Sequence, residues 1–262
     1  MIKNYDKIKD FILENKYIII LTLLLIGIIF FYKTKKIDNL DKIKPNLYCF
    51  WTGINPLTEN RKRNLKTLKN TGFNVVLITP DNLNEYILND YPLHHGYQFL
   101  SETHKSDYLR CYFMNFYGGG YSDIKRIDES WLDQYNKLMN SDYWGCGFAE
   151  RNPNHIGYGK NLILNESMKK NYNKLIGTNQ YIFKPNTPLT NEWYKSMMKL
   201  MDEKYKELKK YPAKETRQVY SEKYPYPLRW TELLGQIYHP IVYKYEDKLM
   251  KDLPYIITEN YR

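Results

Sequence analysis

Three kinds of hydrophobic patterning follow one another along the chain. Residues 17–32, YIIILTLLLIGIIFFY, carry no charge, with Lys16 on one side and Lys33, Lys35 and Lys36 on the other. A membrane-spanning helix needs about 20 apolar residues and no fewer than about 17. Tyrosines at both ends of this run and flanking lysines that snorkel outward extend its reach. A mixed-charge stretch precedes it and no small-residue cleavage site follows, which argues against a removed signal peptide. The run is therefore expected to be a single-pass membrane anchor, within an N-terminal segment 1–33. Lysines on both sides leave its orientation open. Residues 34–44 read as a charged stalk, and 45–262 as a folded domain.

In that domain the pattern alternates between strand and helix. Residues 47–51 form a short apolar run ending at Thr52-Gly53, a first strand. Thr58 opens a basic helix to Asn70, which Thr71-Gly72 stops. Residues 73–79 are β-branched and apolar, a second strand, and Pro80-Asp81 starts another short helix. This series predicts an α/β sheet with parallel neighbours, whose ligands gather at the carboxyl ends of the strands. Trp51, Thr52 and Gly53 fall at that rim. Between 101 and 116 the spacing is helical, with Leu109, Tyr112, Phe113 and Phe116 on one stripe and Asp107 and Arg110 sharing a face. Gly118-Gly119-Gly120 ends that helix, and residues 121–124 read as a brief strand bringing Asp123 to an edge. Trp193 lies on an amphipathic helix over 188–210, and 211–227 reads as a long Pro- and Tyr-rich loop suited to lining an acceptor groove. A helix over PLRWTELLGQIYHP would bury Leu233, Leu234 and Ile237, place Trp230 at its start with Glu232 one turn in, and end at His239 before Pro240.

Composition narrows the classes. The 262 residues carry a net charge of +10, with 43% apolar and 26% charged residues, as in an ordinary folded protein. The positive charge favours anionic partners, nucleoside diphosphates among them. It is spread as lysine interleaved with acids, with no zinc-finger, RNP or helix-turn-helix pattern, so no nucleic-acid partner is expected. Cys49, Cys111 and Cys146 match neither a metal knuckle nor a redox pair and read as buried thiols.

The stretch Ser106-Asp107-Tyr108-Leu109-Arg110 followed by Tyr117-Gly118-Gly119-Gly120-Tyr121-Ser122-Asp123 resembles the core of the sugar transferases that carry a short Asp-x-Asp motif. These are the family 32 mannosyl- and galactosyltransferases and the capsular polysaccharide transferases, with the clostridial glucosylating toxins more distant. Phe50-Trp51-Thr52-Gly53, Trp230-Thr231-Glu232 and His239-Pro240 resemble further parts of the group. The resemblance implies a GT-A-like nucleotide-sugar transferase fold. It implies transfer of a hexose from a nucleoside diphosphate sugar to an acceptor hydroxyl, with retention of configuration, in glycan or polysaccharide synthesis. It also implies that Asp123 and Arg110 carry catalysis. Trp51, Thr52, Asp107, Arg110, Gly119, Gly120, Tyr121, Lys125, Trp230 and Glu232 would line the donor site.

One position departs from the group's pattern: Lys125 stands where the second aspartate belongs. Lysine as an ammonium ligates no metal. Two readings stay open. A divalent metal, manganese or magnesium, is retained on Asp123, Asp128 and His239, with Lys125 turned away; this is the expectation carried forward. Alternatively the Lys125 ammonium neutralises the diphosphate in place of the metal. The departure also motivates a second function, a membrane-anchored nucleotide-sugar-binding protein with weak or no catalysis.

Overall fold

The structure, a computed structural model, describes Asn15, Lys16, Thr22, residues 24–29 and residues 44–259. The chain divides into two units, Met1–Lys44 and Pro45–Arg262.

The first unit requires a correction. Among the described residues no helix is long and apolar enough to cross a membrane, so the expected N-terminal transmembrane helix and the single-pass membrane location do not stand. Residues 17–21, 23 and 30–32 of that expected anchor, and 34–43 of the expected stalk, lie outside the described residues.

The second unit is built on a six-stranded mixed sheet. Its strands are β1 (Asn46–Phe50), β2 (Asn74–Ile78), β3 (Gly119–Ser122), β4 (Gly145–Ala149), β5 (Ile176–Phe183) and β6 (Leu249–Met250). Their spatial order is β2-β1-β3-β5-β4-β6. β1 runs parallel to β2 and to β3, as a strand–helix–strand series requires. β5 runs antiparallel to both β3 and β4, which the sequence pattern did not signal.

Alternation along β1 shows how the sheet divides the core. Tyr48 and Phe50 join one buried cluster with Phe113, Tyr121, Tyr181, Trp193 and Tyr238. Leu47 and Cys49 join the other with Leu68, Phe73, Trp131 and Ile182. The first face is covered by α2 (Glu102–Phe116), α5 (Pro188–Lys210) and α6 (Gly235–Lys244), with α5 packed on both α2 and α6. The second face is covered by α1 (Glu59–Thr67) and α3 (Leu132–Met139), while α4 (Leu162–Lys170) packs beside α6. All three cysteines are buried free thiols.

Two local features aim the candidate residues. Ser101 caps α2, its hydroxyl accepting from the His104 amide. Nearly every side of α2 is buried, so Asp107 and Arg110 enter the protein rather than a solvated face. The helix stops at Gly118, with φ of 62°, a conformation open to glycine at little cost. β3 therefore begins at Gly119, two residues before the expected strand, and carries Asp123 just past its carboxyl end.

The region 228–240 also differs from its expected helix. Residues 230–234 form turns and α6 starts only at Gly235, so Trp230 stands half exposed on a loop. His239 lies inside α6 rather than at its end, and Pro240 is accommodated within the helix.

Candidate functional site

Two adjoining cavities open at the carboxyl ends of β1 and β3, one of about 560 Å³ and one of about 380 Å³. They share Thr103, Arg110, Asp123, Lys125 and Trp230. The junction is thus a cluster of charges under a tryptophan.

Asp123 is its centre. Oδ1 accepts from the Tyr121 hydroxyl at 2.6 Å and lies 3.2 Å from Arg110 Nη2; Oδ2 lies 2.9 Å from Lys125 Nζ. Its backbone amide donates to Asn179 of β5, which fixes the residue just beyond the strand. Burial opposes its ionisation, but Lys125, Arg110 and the Tyr121 hydroxyl outweigh burial and bring its pKa down to about 2. Asp107 sits deeper, 3.8 Å from Arg110 Nη2, where burial raises its pKa to about 7 despite Arg110. Arg110 donates to the Thr178 carbonyl and lies 4.6 Å over the Tyr121 ring. Burial lowers its pKa, but Tyr121, Asp123 and Asp107 together hold it above its ordinary value. With Asp107 partly neutral, two cations face one firm anion, so the cluster carries a surplus positive charge in a half-enclosed space.

The smaller cavity extends this character. Trp51 lines it, its indole donating to the Asn55 carbonyl, and Thr52 donates to the Glu102 carbonyl. Arg61, which donates to the Ile124 carbonyl, and Arg217, 5.9 Å over the Trp230 ring, bring further positive charge. Neither arginine stood out in the sequence, because each arrives from a distant segment: α1 and the 211–227 loop. Thr103 accepts this loop through its amide, which donates to the Thr216 carbonyl at 3.2 Å.

Other expected site residues fall elsewhere. Gly119 and Gly120 line neither cavity. A Cβ on Gly119, at φ 80°, would meet the Asn46 carbonyl oxygen at 2.7 Å, so this glycine serves the close approach of β3 to β1. Glu232 faces a separate groove, where it pairs with Lys204 at 3.3 Å and accepts from the Arg229 amide. Tyr121, by contrast, lines the smaller cavity; it is largely buried and orients Asp123, its ring stacked on Phe50.

The expected metal ligands do not assemble. Asp128 lines neither cavity and pairs with Arg126 at 2.9 Å. His239 shares the larger cavity with Asp123, yet among the described residues no group of three or more His, Cys, Asp or Glu side chains is arranged to hold a metal ion. Both oxygens of Asp123 already face cations. Among the described residues the side chains around Asp123 do not fit a resident divalent metal.

The sequence search missed Glu150, which follows β4, and Thr178 and Asn179 on β5; all line the larger cavity. No short motif marks them, and only burial of Glu150 and its place in the folded sheet expose the role.

A family model described as "Capsular polysaccharide synthesis protein" matches residues 3–124, a little under half of the chain and including α2, the glycine run and Asp123. No curated protein matches the chain. Among solved structures the chain is similar to one titled "PaToxG Glycosyltransferase", at 12% identity over 78% of this chain and 70% of that one, with a TM-score of 0.41. Over residues 3–124 the chain is similar to capsular polysaccharide synthesis proteins.

Proposed function

We propose that the chain transfers a hexose from a nucleoside diphosphate sugar to an acceptor hydroxyl, in the making of a capsular or related polysaccharide. The observation that carries this reading is the Arg110–Asp123–Lys125 cluster at the junction of the two cavities. A diphosphate is the anion whose charge and span suit two cations beside a tryptophan-lined cleft. The smaller cavity, with Trp51, Arg61 and Arg217, suits the nucleotide, and the larger suits the sugar. In this reading Arg110 and Lys125 stabilise negative charge as the diphosphate departs, and Asp123 holds both cations in place. Tyr121 and the β5 backbone hold Asp123 in turn. Asp107 would accept from sugar hydroxyls. Retention of configuration remains the expectation from the resemblance, and the side chains name no nucleophile.

The test is a donor screen of the full-length chain, reading free nucleoside diphosphate, in parallel with manganese, with magnesium and with excess chelator. Release from at least one hexose donor, persisting in chelator, is the expected result. Tight nucleotide binding with no release from any donor would instead favour a nucleotide-sugar-binding protein without catalysis.

A further inference from the structure

The larger cavity has a second polar wall, opposite in character to the cationic junction. Glu150 follows β4 and is 5% exposed, and its Oε2 has no hydrogen-bond partner. The His155 Nδ1 lies 3.5 Å from that oxygen on an exposed ring. His239 is 1% exposed and reaches the same cavity from α6. Its Nδ1 accepts from the Gly157 amide at 2.9 Å and also lies 3.1 Å from the Gly235 carbonyl. An amide hydrogen can only be donated, which assigns Nδ1 as acceptor and puts the ring hydrogen on Nε2. That Nε2 has no partner. On β5, Asn179 Oδ1 is likewise unpartnered in the same cavity.

This arrangement is built rather than incidental. A Cβ on Gly157 would meet the Gly235 carbonyl carbon at 2.3 Å, so glycine at 157 lets the loop after β4 touch the start of α6. That contact seats the Gly157 amide against His239. A buried carboxylate oxygen without a hydrogen bond and a buried imidazole donor without an acceptor each cost stability, so their place in one cavity calls for a ligand. Both a donor and two acceptors are presented, which is the complement of hydroxyl groups that donate and accept at once. Phosphate does not fit, because Glu150 would repel it. A cation does not fit, because Lys125 and Arg110 share the space. Phe148, Leu234 and Tyr255 add apolar surface for the C–H face of a ring.

We propose that Glu150, His239 and Asn179 form a hydroxyl-binding subsite for a sugar ring, in the cavity that Lys125 also lines. The proposal rests on the nucleotide-sugar reading above and names its sugar-side contacts. The ring belongs either to the donor hexose or to the acceptor; the chemistry is shared, and the test separates them.

Affinities of the full-length chain and of Glu150→Gln are measured for uridine and guanosine diphosphates and for their glucose, galactose and mannose conjugates. Transfer or hydrolysis KM is measured with free glucose, galactose and mannose as acceptor probes. The expected result is an unchanged nucleoside diphosphate affinity, within twofold, with one sugar arm weakened at least tenfold. Loss confined to the conjugates assigns the ring to the donor; loss confined to acceptor KM assigns it to the acceptor. Equal binding and KM in a folded Glu150→Gln protein overturns the subsite and leaves the transferase reading standing. Failure of the wild-type chain to bind any nucleoside diphosphate or conjugate overturns both. A variant-free check follows the histidine side-chain nitrogens by NMR in the wild-type chain. The His239 Nε2 signal should move with a sugar conjugate or a free sugar and stay fixed with the nucleoside diphosphate alone. A signal unmoved by every sugar overturns the proposal even if Glu150→Gln fails to fold.

Discussion

Replacing Lys125 with methionine keeps the length of the side chain and removes its charge. In the native cluster Arg110 and Lys125 face Asp123, a sum of +1 over these three groups; after the change the sum is 0. A diphosphate placed about 5 Å from the lost ammonium forfeits about 3 kcal/mol at an effective dielectric of about 20. Charge-assisted hydrogen bonds are worth about 1.5–3 kcal/mol, so the two routes agree on a loss of about 2–3 kcal/mol, or about 30- to 150-fold in affinity. Asp123 keeps Arg110 and the Tyr121 hydroxyl, so the carboxylate is not left unpaired and the fold should survive. The assay is calorimetric titration of nucleoside diphosphate into the full-length chain in excess chelator, with Lys125→Arg as the charge-preserving control. Binding of Lys125→Met within threefold of wild type, in a protein that melts normally, would refute the idea that this ammonium holds the diphosphate.

Other expectations follow from the same geometry. Arg110→Ala and Asp123→Ala should each lower turnover by about 10²-fold, as when a preorganised electrostatic contact is lost; near-native kcat/KM in either would contradict its assigned place. Lys125→Asp sets a second carboxylate beside Asp123 and should make nucleotide binding depend on added magnesium or manganese, read by titration with and without chelator. Gly119→Ala forces a side chain onto φ 80° and against the Asn46 carbonyl oxygen, and should cost about 2 kcal/mol or more of stability, read by chemical denaturation. Stability should also fall as pH drops from 6.5 to 4. Burial holds His104 and His239 each at about 4 against 6.5 unfolded, so unfolding takes up two protons in that window. Asp107, raised by burial from 3.8 to about 7, and Glu150, also raised by burial, release protons on unfolding and offset part of that uptake. The loss is therefore at most about 1.4 kcal/mol per pH unit, and a melting temperature that rises as pH drops through the window would contradict it.

What the sequence made legible was local. The stripe of Leu109, Tyr112 and Phe113, the glycine stop and the following Asp123 are encoded within one short stretch, and the structure places Asp107, Arg110 and Asp123 together. The glycines themselves were misread as ligand contacts, because a glycine needed for strand-to-strand approach looks the same in sequence as one needed for a ligand. The expected helix over Trp230 and Glu232 failed because Pro227 and Gly235 bound a set of turns, and the Gly157–Gly235 contact fixes where α6 starts. Asp128 is close to Asp123 in sequence, but the chain turns away after Lys125 and leaves Asp128 to Arg126. Arg61, Arg217, Glu150 and Asn179 come from four separate segments, and nothing short of the tertiary fold brings them to one cleft. The membrane anchor was argued from hydrophobicity alone, and the described helices do not supply the required length.

The central claim is that the Arg110–Asp123–Lys125 cluster receives the diphosphate of a sugar nucleotide without a metal ion. The most direct measurement is a phosphorus NMR titration of uridine and guanosine diphosphate hexoses with the wild-type full-length chain in excess chelator. The account predicts that the diphosphate resonances of at least one donor shift and broaden saturably in chelator, and that added magnesium changes the affinity by less than threefold. Resonances that stay fixed in chelator and move only once magnesium is restored would contradict it.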